Sequence, residues 1–470
     1  MEIPILSLLI MILTIALVTG VSTYLSRSVR SVEGYTLGGR QSGVPLVAGS
    51  IAGACIGGGA TVGTAQLASI IGLSAWWFTL GAGISLIIMA LFYARPLRSA
   101  SLETISQYLE LSYGKEAGAF ASLASSLGIF FSAVASCLPG IYILSHLLNI
   151  SSLQAALLLL FLVAVYGFFG GMKSAGIGGI LKMAIIWISL FVTGISVCHS
   201  FQASPELLAS LPDTPWFSLF GNGVENAMAN LFSLIVGILC TQTYIQAIFS
   251  ASSPRTAAVG ALAAALIIIP VGLPCVMIGM YMHAAHPEVS PILVLPTYLL
   301  HYQPLPIGSI AMGGILLSLI SSISGLSLGI GTMLSQDILS HLFPVDNSHT
   351  ELLRTRIVVL GVVILASAVS IINEDSQVLF WNYMSMALRG GGIFLPLTLA
   401  VFRPRAIAPH WALLSMISST ATAIAASFFK LSVPPLFLGL GISFALLLTG
   451  LMHHKWIQKK TEAADAAIRQ

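Results

Sequence analysis

The run Ser318-Leu-Ile-Ser-Ser-Ile-Ser-Gly-Leu-Ser-Leu-Gly-Ile-Gly-Thr332 places Ser318, Ser321, Ser322, Gly325, Gly329 and Thr332 three and four residues apart, on one face of a helix. Neutral hydroxyls on an apolar helix suit a dehydrated hard cation such as sodium, which takes several oxygens. They do so without burying a carboxylate in hydrocarbon. The competing reading is a helix contact made of small residues. A second run, Ile51-Ala-Gly-Ala-Cys-Ile-Gly-Gly-Gly-Ala-Thr-Val-Gly63, holds five glycines in thirteen residues. Each costs about 1 kcal/mol against Ala in a helix interior, so a break is expected near Ile56–Gly59, with close packing as the alternative.

Arg389 is the one charged residue in the middle of an apolar segment, and no Asp or Glu is expected inside any such segment to pair with it. A charge at that depth needs a partner. Either an anionic solute supplies it, or backbone carbonyls freed by Gly390, Gly391 and Gly392 do. The five cysteines form no CxxC pair, and His146, His199, His283 and His286 lie near segment ends with no HExxH, so neither a zinc centre nor an intramembrane enzyme is indicated.

The elements that must position these residues are membrane helices. The chain is 57% hydrophobic and 7% charged over 470 residues, with a mean hydropathy of +0.96. That composition excludes a soluble domain or a nucleic-acid surface and predicts an all-α integral membrane protein. Thirteen spans are expected, near residues 4–25, 45–71, 74–94, 117–147, 152–170, 177–199, 226–249, 256–283, 306–331, 355–373, 376–402, 411–429 and 434–452. All Lys and Arg residues except Arg389 and Lys430 fall in alternate gaps or in the span ends that border them: Arg27, Arg30 and Arg40; Arg95, Arg98 and Lys115; Lys173 and Lys182; Arg255; Arg354 and Arg356; Arg403 and Arg405; Lys455, Lys459, Lys460 and Arg469. Because cationic loops stay in the cytoplasm, this predicts an outside N-terminus and a cytoplasmic tail at 453–470. The first span follows Glu2 and lacks a cleavage motif, so it reads as a retained helix.

Within one transporter domain, 1–470, spans two to six (45–199) and seven to eleven (226–402) form two blocks of five. One span precedes them and two follow. Blocks with an odd number of spans enter the membrane from opposite sides, the inverted-repeat condition of many alternating-access carriers.

Gly38-Gly39-Arg40, Thr61-Val-Gly63, Gly170-Gly171, Gln242 through Gln246, and the spacing from Ser321-Ser322 to Asp337 together resemble the sodium/solute symporters. That family includes sugar, proline, pantothenate and sialic acid carriers. The resemblance runs from about Tyr35 to Pro404 and implies a LeuT-like 5+5 inverted-repeat fold. Carried over position by position, it implies a sodium site built from the carbonyls of Gly53, Ile56 and Ser318 and the hydroxyls of Ser321 and Ser322. The substrate would lie beside the break, against Gly57, Gly58, Gly59, Ala60, Thr61, Gln66 and Gln242, with Arg389 as a further candidate. There are departures. Gly179 stands where many members carry Asp, Lys182 lies three residues on, Gln246-Ala247 replaces the usual Gln-Arg, and Ala60 replaces the Gln of sugar carriers.

The expectation is a carrier, not an enzyme: sodium-coupled symport of a small organic solute bearing a carboxylate, such as a monocarboxylate or amino acid. Sodium would be the co-substrate, with no organic cofactor, and a bacterial or archaeal plasma membrane the setting. The alternative is a proton-coupled or sodium-independent carrier using Lys182, as some LeuT-like carriers use a lysine in place of the ion. The bland reading has Lys182 snorkelling to the inner interface. An ion channel is the further alternative. Apart from solute and lipid, the sequence names no partner.

Overall fold

In hydrocarbon every backbone N–H and C=O must find its partner within its own segment, and the helix is the single-segment solution. The computed structural model describes residues 3–26, 31–167, 171–344, 347–374, 376–427 and 433–468. The expectations attached to Arg27, Arg30, Gly170, Lys430 and Arg469 lie outside these residues. The described residues hold no strand, only an isolated bridge between Ser42 and Ala251.

The principal helices are α1 Ile5–Ser26, α2 Val44–Cys55, α3 Thr64–Ile71, α4 Trp77–Ile88, α5 Ile105–Tyr113, α6 Lys115–Leu148, α7 Ser152–Gly167 and α8 Gly171–Ala203. They continue as α9 Val224–Leu239, α10 Gln242–Ser250, α11 Pro254–Ala285, α12 Leu305–Met333, α13 Ser348–Ile372, α14 Val378–Phe402, α15 Pro409–Ser427 and α16 Pro435–Ile468. Among the described residues nine helices are long and apolar enough to cross a membrane, or ten if α9 and α10, bent by 48° at their junction, form one span. This differs from the thirteen spans expected. Expected span two is cut at Ile56, which leaves α2 with only 12 residues. Helical structure from Gly59 runs on through Ser99 and joins two expected segments, and α7 is only 16 residues long.

One boundary matters for chemistry. The helix that begins as α12 continues to Leu342 by way of a wider turn at Leu334–Leu339. Asp337, expected beyond the span that ends at 331, therefore lies on the same continuous helix.

α12 is the centre of the bundle, with 89% of its most apolar window buried, against 28% for α1 and for the helix at Pro435–Trp456. The apolar outer faces of those peripheral helices are left for lipid. α2 crosses α8 at backbone contact: a Cβ at Gly49 would lie 2.6 Å from the Gly176 carbonyl, and one at Gly53 would lie 3.0 Å from the Gly179 Cα. A side chain at Gly179 would collide with the Gly49 carbonyl. Small residues on both helices permit this approach, and it delivers the α8 residue one turn beyond Gly179 to the end of α2.

Candidate functional site

α2 stops at Cys55. Ile56 has φ −82° and ψ 81°, outside the helical region, and the chain resumes as a wide turn at Gly59–Gly63, in which Gly63 N donates to Gly58 O at 2.7 Å. Gly57, Gly58 and Gly59 are needed for close approach. A Cβ on Gly57 would meet Ser322, one on Gly58 would lie 2.7 Å from the Ala135 carbonyl, and one on Gly59 would lie 2.7 Å from Asn382 Nδ2. Break and close packing thus share the same glycines. The last carbonyls of α2 have lost their helical donors and need others.

Lys182 supplies them. Its Nζ donates to Gly53 O at 2.6 Å, Ile56 O at 2.9 Å and Ser318 O at 3.3 Å, and it lies within hydrogen-bond reach of the Ser318 and Ser321 hydroxyls. The residue is fully buried, which corrects the snorkelling reading. Four of the five residues implied as sodium ligands, Gly53, Ile56, Ser318 and Ser321, thus converge on one ammonium nitrogen. The fifth does not, because Ser322 Oγ donates to Ala54 O at 2.6 Å. Ser318 Oγ also donates to Ile56 O.

Beside this cluster lies a narrow cavity of about 20 Å³, bordered among others by Gly57, Gly58, Gly59, Ser132, Tyr244, Asn382 and Arg389. That is room for a water or two. Of the residues expected around a substrate, the three glycines and Arg389 border it. Ala60, Thr61, Gln66 and Gln242 do not. Thr61 Oγ1 donates to Gly57 O at 2.9 Å within its own turn. Gln66 Oε1 accepts from Val378 N at 3.1 Å. Gln242 Nε2 donates to Glu103 O at 2.9 Å and its Oε1 accepts from Ile105 N at 2.9 Å, so this side chain ties α10 to the start of α5. Ser132, Ser136, Phe78, Tyr244 and Asn382 border the cavity and were missed. Their only sequence signal is the Ser132, Ser136 spacing on α6, common among helix contacts.

Arg389 is 2% exposed. Its Nε donates to Gly237 O at 3.1 Å, and its Nη1 to Ser385 Oγ at 2.9 Å and Ser132 Oγ at 3.3 Å. The carbonyl comes from the end of α9, where the helix breaks before Gln242, and not from Gly390, Gly391 or Gly392. Those three lie against Val236, Ser419 and Thr420. A guanidinium at a helix C-terminus meets both an open carbonyl and the negative end of the dipole.

The end that carries Arg40 and Arg98 is closed by short-range bonds. Ser42 N donates to Ser250 O and Ser252 N to Ser42 O, both at 3.0 Å. Gln246 Nε2 donates to Thr36 O at 2.7 Å and Thr332 Oγ1 at 3.0 Å. Burial pushes the nearby Glu103 carboxyl above the usual carboxylate range, and Arg40 opposes the shift.

Residues 35–418 match the sodium:solute symporter family. High-affinity choline transporter 1 of Torpedo marmorata is 24% identical over 340 residues, covering 68% of this chain and 58% of that protein. The Homo sapiens counterpart is 23% identical over 338 residues with the same coverage. The chain therefore spans less than two thirds of the length of these curated relatives. Among solved structures, a sodium-coupled sialic acid symporter in a substrate-bound outward-open state superposes with a TM-score of 0.80 at 16% identity, covering 96% of this chain and 97% of that one. A nucleobase-cation-symport-1 family transporter in a closed conformation gives 0.53 at 14% identity, covering 90% and 94%. At these identities the likeness is one of fold.

Proposed function

The chain belongs to the sodium:solute symporter family, and from that premise we propose a secondary active carrier of a small organic solute in which the Lys182 ammonium takes the place of sodium and coupling is to the proton. Membership makes it a membrane transporter and not an enzyme. The position of Lys182 Nζ among the oxygens of Gly53, Ile56, Ser318 and Ser321 carries this reading. A sodium ion about 3 Å from that ammonium would meet a repulsion of about 5 kcal/mol at an effective dielectric of about 20. Protonated, Lys182 bridges the broken helix of one block to α12 of the other. Neutral, it forfeits the charge in those bonds and loosens the bridge. Proton binding and release thereby bias the two arrangements that alternating access requires.

The test is uptake into proteoliposomes. An inward proton gradient without sodium should drive accumulation, and Lys182→Gln should remove the response. Sodium-driven uptake indifferent to the pH gradient would sink it and restore the sodium-coupled reading. Family membership and the match between these oxygens and the implied ligand set support that second reading. Saturable uptake would set either carrier apart from a channel.

The solute proposed is a carboxylate, because Arg389 borders the cavity and no Asp or Glu does. Choline, the cargo in the names of the relatives, is a cation and would face that guanidinium. Thirteen spans in a 5+5 inverted repeat and an outside N-terminus in a bacterial or archaeal plasma membrane complete the proposal. The breaks after Cys55 and Leu239, each in the first helix of its block, support the repeat, and the one-sided placement of Lys and Arg supports the orientation.

A further inference from the structure

A second cavity, of about 740 Å³, lies between the start of α6 and the start of α15. Its rim and its floor differ in chemistry. Lys115, Glu116 and His410 border it at one end, and Leu413, Leu414 and Ile417 follow along α15. Leu414 and Ile417 are 46% and 44% exposed, an apolar face that the neighbouring helices leave open. From His410 to Ile417 the helix advances about 10 Å, most of the roughly 15 Å of hydrocarbon in one leaflet. Trp411 and Trp456 mark the depth of the rim. They stand on α15 and α16 with His453 between them, at ring separations of 6.1 and 6.3 Å, and tryptophans gather at the level of lipid headgroups. The charged residues therefore lie at headgroup depth, and the aliphatic ones continue into the hydrocarbon.

Lys115 and Glu116 are both exposed. Adjacent positions on a helix do not face each other, so the two do not neutralise one another, and the ion pairs among the described residues, Arg40 with Glu33 and His286 with Glu288, lie elsewhere. One opening thus offers a cation, a carboxylate and an imidazole above an apolar floor. A lipid phosphate suits Lys115 and His410, but an anionic headgroup brings nothing for Glu116, which repels it. A zwitterionic headgroup with a primary ammonium answers both signs: its phosphate accepts from Lys115 Nζ and its ammonium donates to the Glu116 carboxylate. The quaternary ammonium of phosphatidylcholine has no N–H to donate. We infer that this cavity binds one molecule of phosphatidylethanolamine from the adjoining leaflet, with an acyl chain lying along Leu413, Leu414 and Ile417. The lipid bridges α6, inside the first block of five, to α15, outside both blocks, and so fixes the outlying helix against the carrier core.

The experiment is thermal unfolding of the full chain, stripped of lipid in dodecyl maltoside and titrated with dioleoyl phosphatidylethanolamine, dioleoyl phosphatidylglycerol or dioleoyl phosphatidylcholine. Binding to the folded state appears as a saturable rise in melting temperature. Half-saturation is expected at the lowest lipid fraction with phosphatidylethanolamine. Glu116→Gln should raise that fraction about fivefold, the upper end for an exposed charged contact, without weakening the response to phosphatidylglycerol. Lys115→Gln should weaken the response to both lipids, and Leu414→Trp, which narrows the apolar floor, should weaken it to all three. The three positions are exposed, so the variants should fold, and their melting temperatures without lipid check this. The inference is overturned if the three lipids act alike on the unaltered chain, or if phosphatidylglycerol alone stabilises it. It is overturned as well if Lys115→Gln and Glu116→Gln both keep the full response to phosphatidylethanolamine.

Discussion

An ammonium on a flexible stem can stand where an ion would, provided the backbone beneath it comes close enough, and at Lys182 that proviso is Gly179. The departure from the family at these two positions is one structural change. Without a side chain at 179, α8 lies on the Gly49 carbonyl, and the residue one turn on reaches Gly53 and Ile56. Gly179→Asp should therefore not recreate an ion site. It should lower the melting temperature in nanodiscs, by an overpacking cost of about 1–3 kcal/mol or more, whatever the cation present. Arg389 has a double role, capping the end of α9 and bordering the cavity. Arg389→Lys keeps the charge but loses the fork that reaches Gly237 and Ser385 together. The half-saturating concentration of a carboxylate solute should rise about tenfold or more, while the amount of folded protein in the membrane changes less. A variant with unchanged uptake of carboxylates would return Arg389 to capping alone.

At the scale of elements, the break after α2 is held from three sides, by Lys182 on α8, by Ser318 and Ser322 on α12, and by the approach of α6 to Gly58. Glycines in the same fold consequently differ in what they resist. Gly58→Ala would push against the Ala135 carbonyl and Pro139, and a loss of about 1–3 kcal/mol is expected. Gly361, inside α13, has open space around it, with nothing within 4 Å of where a Cβ would stand. Gly361→Ala should raise stability by up to about 1 kcal/mol, since only the helix-interior penalty of glycine is removed. Melting curves of the two variants side by side check both signs, and equal shifts would refute the packing account of the break.

For the whole molecule, a cavity of about 20 Å³ is too small for any organic solute, so transport requires the walls to separate. The closed end is latched by backbone, because the segment before α2 and the end of α10 bond through Ser42, Ser250 and Ser252. Cross-linking Ser42→Cys to Ala251→Cys should stop uptake in proteoliposomes, with recovery on adding reductant. Continued uptake with the link formed would mean that this end does not open during the cycle.

Composition, hydropathy and the one-sided placement of cations carried the membrane setting, and the glycine and serine runs carried the helix break and the oxygens beside it. These are local properties, since backbone cost and side-chain chemistry can be read where the residues stand. Which group those oxygens face was not local. Lys182 is 129 residues from Gly53 and 139 from Ser321, and only the glycine-to-glycine crossing of α2 and α8 brings it there. Gln66 and Gln242 were assigned to the cavity because they sit on the broken helices. The direction of each side chain, toward Val378 and toward α5, depended on how neighbouring helices turn. The break in span two was legible in residues 51–63, and the group that caps it was decided by packing.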